Sequence, residues 1–268
     1  MTALKDRTII IRGAGDIATG VACRLYRANF RRILMLEISA PLAVRRRVCF
    51  CEAIHEQKQS VEGIEAVRIA GEPDLERAWA AGKISVLVDP SGQSIGRYRP
   101  DVFIDATLAK RNLGTAITDA PLVIALGPGF TAGEDCHLVV ETNRGHDLGR
   151  LISAGRAEAD TGIPGNIAGF TVQRVLRAPA DGLFSSLKQI GDPVRKGEVV
   201  GWVGTAGVAA QIDGTLRGLI RPGSKVTRGL KVGDIDPRGE AVNCDTISEK
   251  ARALGGAVLE GMLATYNR

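Results

Sequence analysis

The chain is poor in residues that stack or cross-link. Aromatic side chains occupy 4% of its 268 positions, which argues against the stacking platforms of single-stranded nucleic-acid binding. Its five cysteines are an odd number at unrelated spacings, with Cys49 and Cys51 forming C-x-C. That pattern fits a reduced, cytoplasmic protein better than a disulfide framework. No apolar run approaches membrane-spanning length, and the opening MTALKDR is polar, with too short an apolar run behind it for a signal peptide.

What is present is a globular composition, 44% hydrophobic and 24% charged, long enough for one large domain or two modest ones. The net charge of +5 is uneven: residues 1–60 hold eleven Lys/Arg against five Asp/Glu. A basic first third attracts a nucleotide, a phosphorylated cofactor or an acidic partner, or is a solvated face. No nucleic-acid recognition motif accompanies the charge.

Residues 8–12 (TIIIR) read as a buried strand, Ile17 to Asn29 as a helix and 33–38 (ILMLEI) as a second strand. Strand, helix and strand within about thirty residues form a βαβ unit, so a parallel sheet is expected. Residues 42–57 read as helical, 64–70 as a strand and 72–81 as a helix. Three short strands follow at 85–89, 101–105 and 121–126, ending in DPSG, DATLAK and GPGF. In doubly wound sheets ligands lie outside the carboxyl ends of strands, so these turns are expected to share a crevice with the first glycine turn.

That first turn is Gly13-Ala14-Gly15-Asp16-Ile17-Ala18, a G-x-G-x-x-A form of the dinucleotide fingerprint. Gly13 permits the tight turn, Gly15 lets backbone approach a pyrophosphate, and Ala18 lets the helix lie close to the sheet. The helix start offers free N–H groups to the anion. Glu37 stands about twenty residues on, where an acid accepts from a ribose diol. Asp16 caps the helix but sets a negative charge beside the phosphate; it equally suits a hydroxyl, an amine or a metal-bound water.

Asp105, Thr107 and Lys110 are expected at a strand's carboxyl end, with Lys110 as a phosphate counter-charge or a base. Gly127 and Gly129 suit close approach of a ligand or an ordinary turn. EDCHLVVETNRGH (134–146) carries Asp135, His137, Glu141 and His146. On a strand His137 and Glu141 share a face, for metal binding, proton exchange or structure, though the spacing fits no tight zinc template. Cys244 precedes the last apolar-periodic segment, 246–266. A thiol there is acidified by the helix dipole, or is simply a small core residue.

From about residue 175 short β-like segments alternate with glycine turns. Within them GDPVRKGEVVG (191–201) repeats as GSKVTRGLKVG (223–233), which suggests two similar halves of a small β-sandwich. The repeat resembles the biotinyl and lipoyl carrier domains. The stretch between its halves, GTAGVAA, has no lysine, so the likeness covers the scaffold and not a swinging arm. The expected fold is therefore α/β. It has a Rossmann-like parallel-sheet domain (1–174), a barrel-sandwich-hybrid β domain (175–242) and a C-terminal helix (243–268) packing back on the first domain.

As a whole the chain resembles the YqeB family. The resemblance runs through IRGAGDIATGVACRLYRANF, LEISAPLAVRR, DATLAKRNLGT, ALGPGFTAGEDCHLVVETNRGHDLGR, TGIPGNIAGF, IDGTLRGLIRPGSKVTRGLKVGDIDPR and TISEKARALGGAVLE. It implies an accessory role in maturing or loading the cofactor of a selenium-dependent molybdenum hydroxylase, with the hydroxylase or its maturation machinery as partner. A molybdopterin nucleotide or NAD(P) would occupy the glycine turn. An NAD(P)-dependent oxidoreductase and a non-catalytic adaptor are the competing readings. Candidate catalytic residues are Asp105, Lys110, His146 and Cys244. Candidate cofactor-binding residues are Gly13, Gly15, Asp16, Ala18, Glu37, Gly127 and Gly129.

Overall fold

A computed structural model describes residues 3–239 and 241–267. The chain divides into two compact units. One comprises residues up to Pro41, Cys49–Thr161 and Ile247 onward; the other comprises Leu42–Val48 and Gly162–Thr246.

The first unit is built on β1 (Ile9–Arg12), α1 (Asp16–Arg27), β2 (Ile33–Glu37), α2 (Ala53–Glu56), β3 (Lys58–Val61), β4 (Ile64–Ile69), α3 (Glu72–Ala80), β5 (Ile84–Val88), α4 (Gln93–Tyr98), β6 (Val102–Asp105), β7 (Leu122–Leu126), β8 (Leu138–Val140), β9 (Leu151–Ile152) and α5 (Glu249–Tyr266). Its strands form one nine-stranded sheet in the order β3-β4-β5-β2-β1-β6-β7-β8-β9. The seven inner strands are parallel. The outermost pairings, β3 with β4 and β8 with β9, are antiparallel. The expected parallel sheet is thus corrected to a mixed one. Val61 and Ile64 are joined by the two-residue turn Glu62–Gly63, both at positive φ, which folds a hairpin onto the edge.

Ile9, Ile10 and Ile11 are fully buried, as a central strand covered on both faces requires. Each such side chain contributes about 2 kcal/mol of transfer free energy. Ile10, Leu34, Phe103 and Val123 share a core with Leu75 and Ala78 of α3 and Ile95 of α4. Helices α1 and α5 pack on each other. A Cβ on Gly20 would lie 2.6 Å from that of Ala251, and one on Gly255 would lie 2.9 Å from the Arg24 Cβ. Gly20 meets Ala251 and Arg24 meets Gly255, so the helices run in the same direction with their N-termini at one end.

Residues 42–57 are not one helix. They fold as 3₁₀ turns at Arg46–Val48 and Phe50–Glu52 followed by the single turn of α2. The polar groups of 42–48 bond within the second unit, which draws the segment out of a helix. Arg45 donates to the carbonyls of Asn243 and Thr246 (2.8 Å each), and Arg46 to that of Leu219 (2.8 Å).

The second unit contains β10 (Val175–Arg177), β11 (Gly182–Ser185), β12 (Pro193–Val194), β13 (Val199–Val203), β14 (Ala206–Ala209), β15 (Gly214–Leu219), β16 (Lys225–Val226) and β17 (Lys231–Asp236). These form two four-stranded antiparallel sheets, β10-β17-β15-β12 and β14-β13-β11-β16. The sequence repeat has a structural counterpart. Val194 and Val226 are both buried, and Gly197 and Gly229 follow them with φ of +87° and +83°.

Candidate functional site

The strand order reverses at β1, with β2 on one side and β6 on the other. In an open sheet this reversal parts the following loops and leaves a crevice at the carboxyl ends. Gly13–Asp16 leaves β1 there and Asp105–Thr107 leaves β6.

Gly13 has φ +95°, and a Cβ on it would lie 3.2 Å from the Ala106 carbonyl oxygen. Gly15 caps α1 with ordinary extended backbone (φ −72°, ψ −170°). A Cβ on Gly15 would meet nothing within 4 Å. Ala18, nearly inaccessible, lets α1 lie against the sheet. The first turn of α1 has no intrahelical acceptor for its amides, and the helix dipole is positive there.

Glu37 ends β2. Its Oε2 accepts from the Ala14 amide (2.9 Å) and its Oε1 from the Ile38 amide (2.8 Å). Burial pushes the carboxyl above its ordinary range against the opposing pull of those two amides. The acid expected to take a ribose is therefore part of the turn itself. Each of its oxygens keeps a second lone pair for a hydroxyl donor.

Asp105 is fully buried. One oxygen accepts from the Thr107 amide (3.1 Å) and hydroxyl (2.7 Å), the other from the Thr115 hydroxyl (2.7 Å). It shapes the loop after β6 and does not reach solvent. Asn112 continues the network, accepting from the amides of Gly114 (2.8 Å) and Thr115 (2.7 Å) and donating to Asp135 (3.1 Å). Within this loop Leu108 and Lys110 adopt φ of +55° and +62°. A bulky side chain in the left-handed region is strained, and strain of this kind concentrates at ligand sites. Lys110 is exposed and pairs with Asp160 (2.5 Å).

Gly127 and Gly129 serve packing. A Cβ on Gly127 would lie 2.6 Å from the Thr142 hydroxyl, and one on Gly129 would lie 2.5 Å from the Arg111 amide nitrogen. Of these four glycines Gly15 alone faces open space.

His137 and Glu141 are not brought together. Strand β8 ends at Val140, and Glu141 is buried with its oxygens accepting from the amides of Asn143 (2.6 Å) and Glu158 (2.7 Å). His137 Nδ1 accepts from the Val123 amide (2.9 Å), extending the strand pairing. His146 is exposed. Among the described residues no cluster of His, Cys, Asp and Glu fits a metal ion. Cys244 is fully buried, and burial, with Asp245 adding to it, pushes its thiol up, opposite to the acidified nucleophile expected. The helix it was to precede begins at Glu249, in the other unit.

Lys250 was not legible as a site residue. It lies in the first turn of α5, half-buried, and burial lowers its pKa, with Arg144 adding to the effect. Glu141, Asp16 and Asp160 act on it in the opposite sense. The shared direction of α1 and α5 sets this amine on the end of the unit that carries the glycine turn. The arrangement supplies backbone amides at Gly15, a cation in Lys250 and a hydrogen-bond acceptor in Glu37.

No family model matches the chain. Three solved structures resemble it weakly. A succinylglutamate desuccinylase/aspartoacylase from Rhodobacter sphaeroides is 17% identical with TM-score 0.28, covering 86% of this chain and 85% of that one. An aspartoacylase family protein from Mesorhizobium loti is 13% identical with TM-score 0.28 over 86% and 85%. A protein described as TcdA (CsdL) is 13% identical with TM-score 0.33 over 99% and 90%. The barrel-sandwich-hybrid expectation is corrected to a mixed α/β chain with one nine-stranded sheet and two four-stranded antiparallel ones. Among the described residues no helix is long and apolar enough to cross a membrane. The chain is 48% identical over 255 residues to a protein of Escherichia coli K12 called uncharacterized protein YqeB. The match takes in 95% of this chain and 47% of the relative, so the chain spans about half the length of the curated relative it matches. At that identity the chain is a homologue of YqeB, and the likeness supports the YqeB family without carrying a role.

Proposed function

We propose that the chain binds a nucleotide-bearing ligand at the turn between β1 and α1. In that capacity it serves the maturation or cofactor loading of a selenium-dependent molybdenum hydroxylase. The observation that carries the binding half is the space at Gly15. A glycine that no neighbour requires, in backbone any residue adopts, stands where a diphosphate would meet the helix start. Lys250 supplies the counter-charge and Glu37 a ribose contact. The accessory role rests on the resemblance to the YqeB family, which the homology to YqeB supports.

The deciding experiment is mass spectrometry of small molecules released from natively purified protein, paired with hydroxylase activity in a strain lacking the gene. A retained pterin nucleotide together with cofactor-deficient hydroxylase supports the proposal. Retained NAD(P) with normal hydroxylase replaces it with the oxidoreductase reading. An empty protein that binds neither compound by calorimetry ends the binding half.

A further inference from the structure

The crossover from β6 to β7 contains no helix longer than the three-residue turn Ile117–Asp119. A full helix would normally cover the sheet at such a crossover. Between α4 and this loop lies a cavity of about 920 Å³, in the range of small-molecule sites.

Two guanidinium groups line it, Arg12 and Arg99. Strand alternation turns Arg12, with Ile10, to the α3/α4 face of the sheet. Its Nη1 donates to the Leu113 carbonyl (3.1 Å) and its Nη2 to that of Pro90 (3.4 Å). This stitches two loops across one end of the cavity and leaves further N–H groups of the fork for a ligand. Arg99 ends α4 in the left-handed region (φ 41°, ψ 68°) and is exposed, with no acidic partner among the described residues. The carboxylates that also line the cavity are engaged. Asp101 accepts from Arg7 (2.9 Å) and the Thr8 amide (2.8 Å), and Asp119 from the Ala116 amide (2.9 Å). Ile95, Pro100 and Pro121 supply apolar wall.

We propose that this cavity binds a small organic anion, its carboxylate or phosphate head held by Arg12 and Arg99 and its apolar body laid on Ile95, Pro100 and Pro121. Guanidinium forks match both head groups in geometry and charge. The site is separate from the nucleotide turn: Arg12 adjoins Gly13 in sequence but serves the opposite face of the sheet from α1.

The test is saturation-transfer NMR of the whole chain with 4-fluorobenzoate, phenyl phosphate and neutral fluorobenzene, each at millimolar concentration. Transfer to at least one anion, several-fold above that to fluorobenzene, is expected. Arg99→Ala and Gly96→Trp should each reduce it at least fivefold. Gly96 lines the cavity, and a Cβ there meets nothing, so tryptophan fills the space without a clash at its base. Thermal melts establish that the variants are folded, and either folded variant is decisive. Absence of transfer to both anions overturns the proposal, as does equal transfer to fluorobenzene or transfer that survives in a folded variant.

Discussion

The Ala14 amide, inside the first glycine turn, donates to Glu37 Oε2 at 2.9 Å. This bond ties the end of β2 to the turn after β1 and fixes the acid whose ionisation the site must tolerate. Burial raises the Glu37 pKa. The folded state then holds the proton more tightly than the unfolded chain. Its contribution to stability therefore falls as pH rises from the ordinary glutamate value through the raised folded one. Glu37→Gln keeps an oxygen acceptor and removes the titration. Urea melts of both proteins from pH 4 to 8 should show the wild type losing stability relative to the variant across that window; parallel curves would contradict the assignment.

Gly15 separates binding from folding. Its backbone suits any residue and a Cβ there is unopposed, so Gly15→Val should leave the melting temperature within about 2 °C of wild type, an effect under 1 kcal/mol. The branched side chain would stand where the diphosphate approaches, and nucleotide retained on purification should drop at least tenfold. Gly13→Ala should instead destabilise by about 1–2 kcal/mol, because its φ is +95° and the Ala106 carbonyl lies 3.2 Å away. A large loss of stability in Gly15→Val would show that the glycine serves packing.

Lys250 carries a charge that its surroundings resist. With a folded pKa below the ordinary lysine value, the unfolded chain binds more protons at alkaline pH. Stability should therefore rise with pH between the folded pKa and about 10.5. Lys250→Met should abolish that rise and match or exceed the wild type in stability at neutral pH. The same variant should weaken nucleotide binding about tenfold, close to 1.4 kcal/mol. Calorimetry and melts on one preparation check both, and unchanged affinity would remove Lys250 from the site.

The helix pair tolerates no bulk. Gly20→Leu must displace α5, since even a Cβ at that position would lie 2.6 Å from the Ala251 Cβ and 3.0 Å from its carbonyl oxygen. Destabilisation of about 3 kcal/mol is expected, and Ala251→Gly in the same chain should recover part of it. A Gly20→Leu protein that melts like the wild type would contradict the close approach.

Elements that make their own local case were legible in the sequence. TIIIR, the following glycines and the amphipathic 17–29 segment agree at every level, and β1 and α1 fall within a residue or two of the expected bounds. Segment 42–57 reads as helical because its apolar residues look so in isolation, while in the fold Arg45 and Arg46 bond to carbonyls nearly two hundred residues away. The same distance hid the fate of the candidate site. Gly127 and Gly129 read as ligand-facing until Thr142 and Arg111 are found against them, and Asp105 read as reactive until Thr107 and Thr115 are found on its oxygens. Lys250 carried no local signal, since only the parallel packing of α1 and α5 brings it to the crevice end. The antiparallel strand β9 is two residues long, too short for any periodicity to show.

Helix α1 leaves the ribosome long before its partner α5, with the second unit lying almost wholly between them in the sequence. Until Ala251 and Gly255 are synthesised, the surface of α1 around Gly20 has nothing to close on. The nascent first unit must wait, lacking only α5 and its flanks, while about eighty-five inserted residues gain their own core. Chaperone engagement and protease sensitivity during translation should concentrate on that exposed helix and end abruptly when α5 docks.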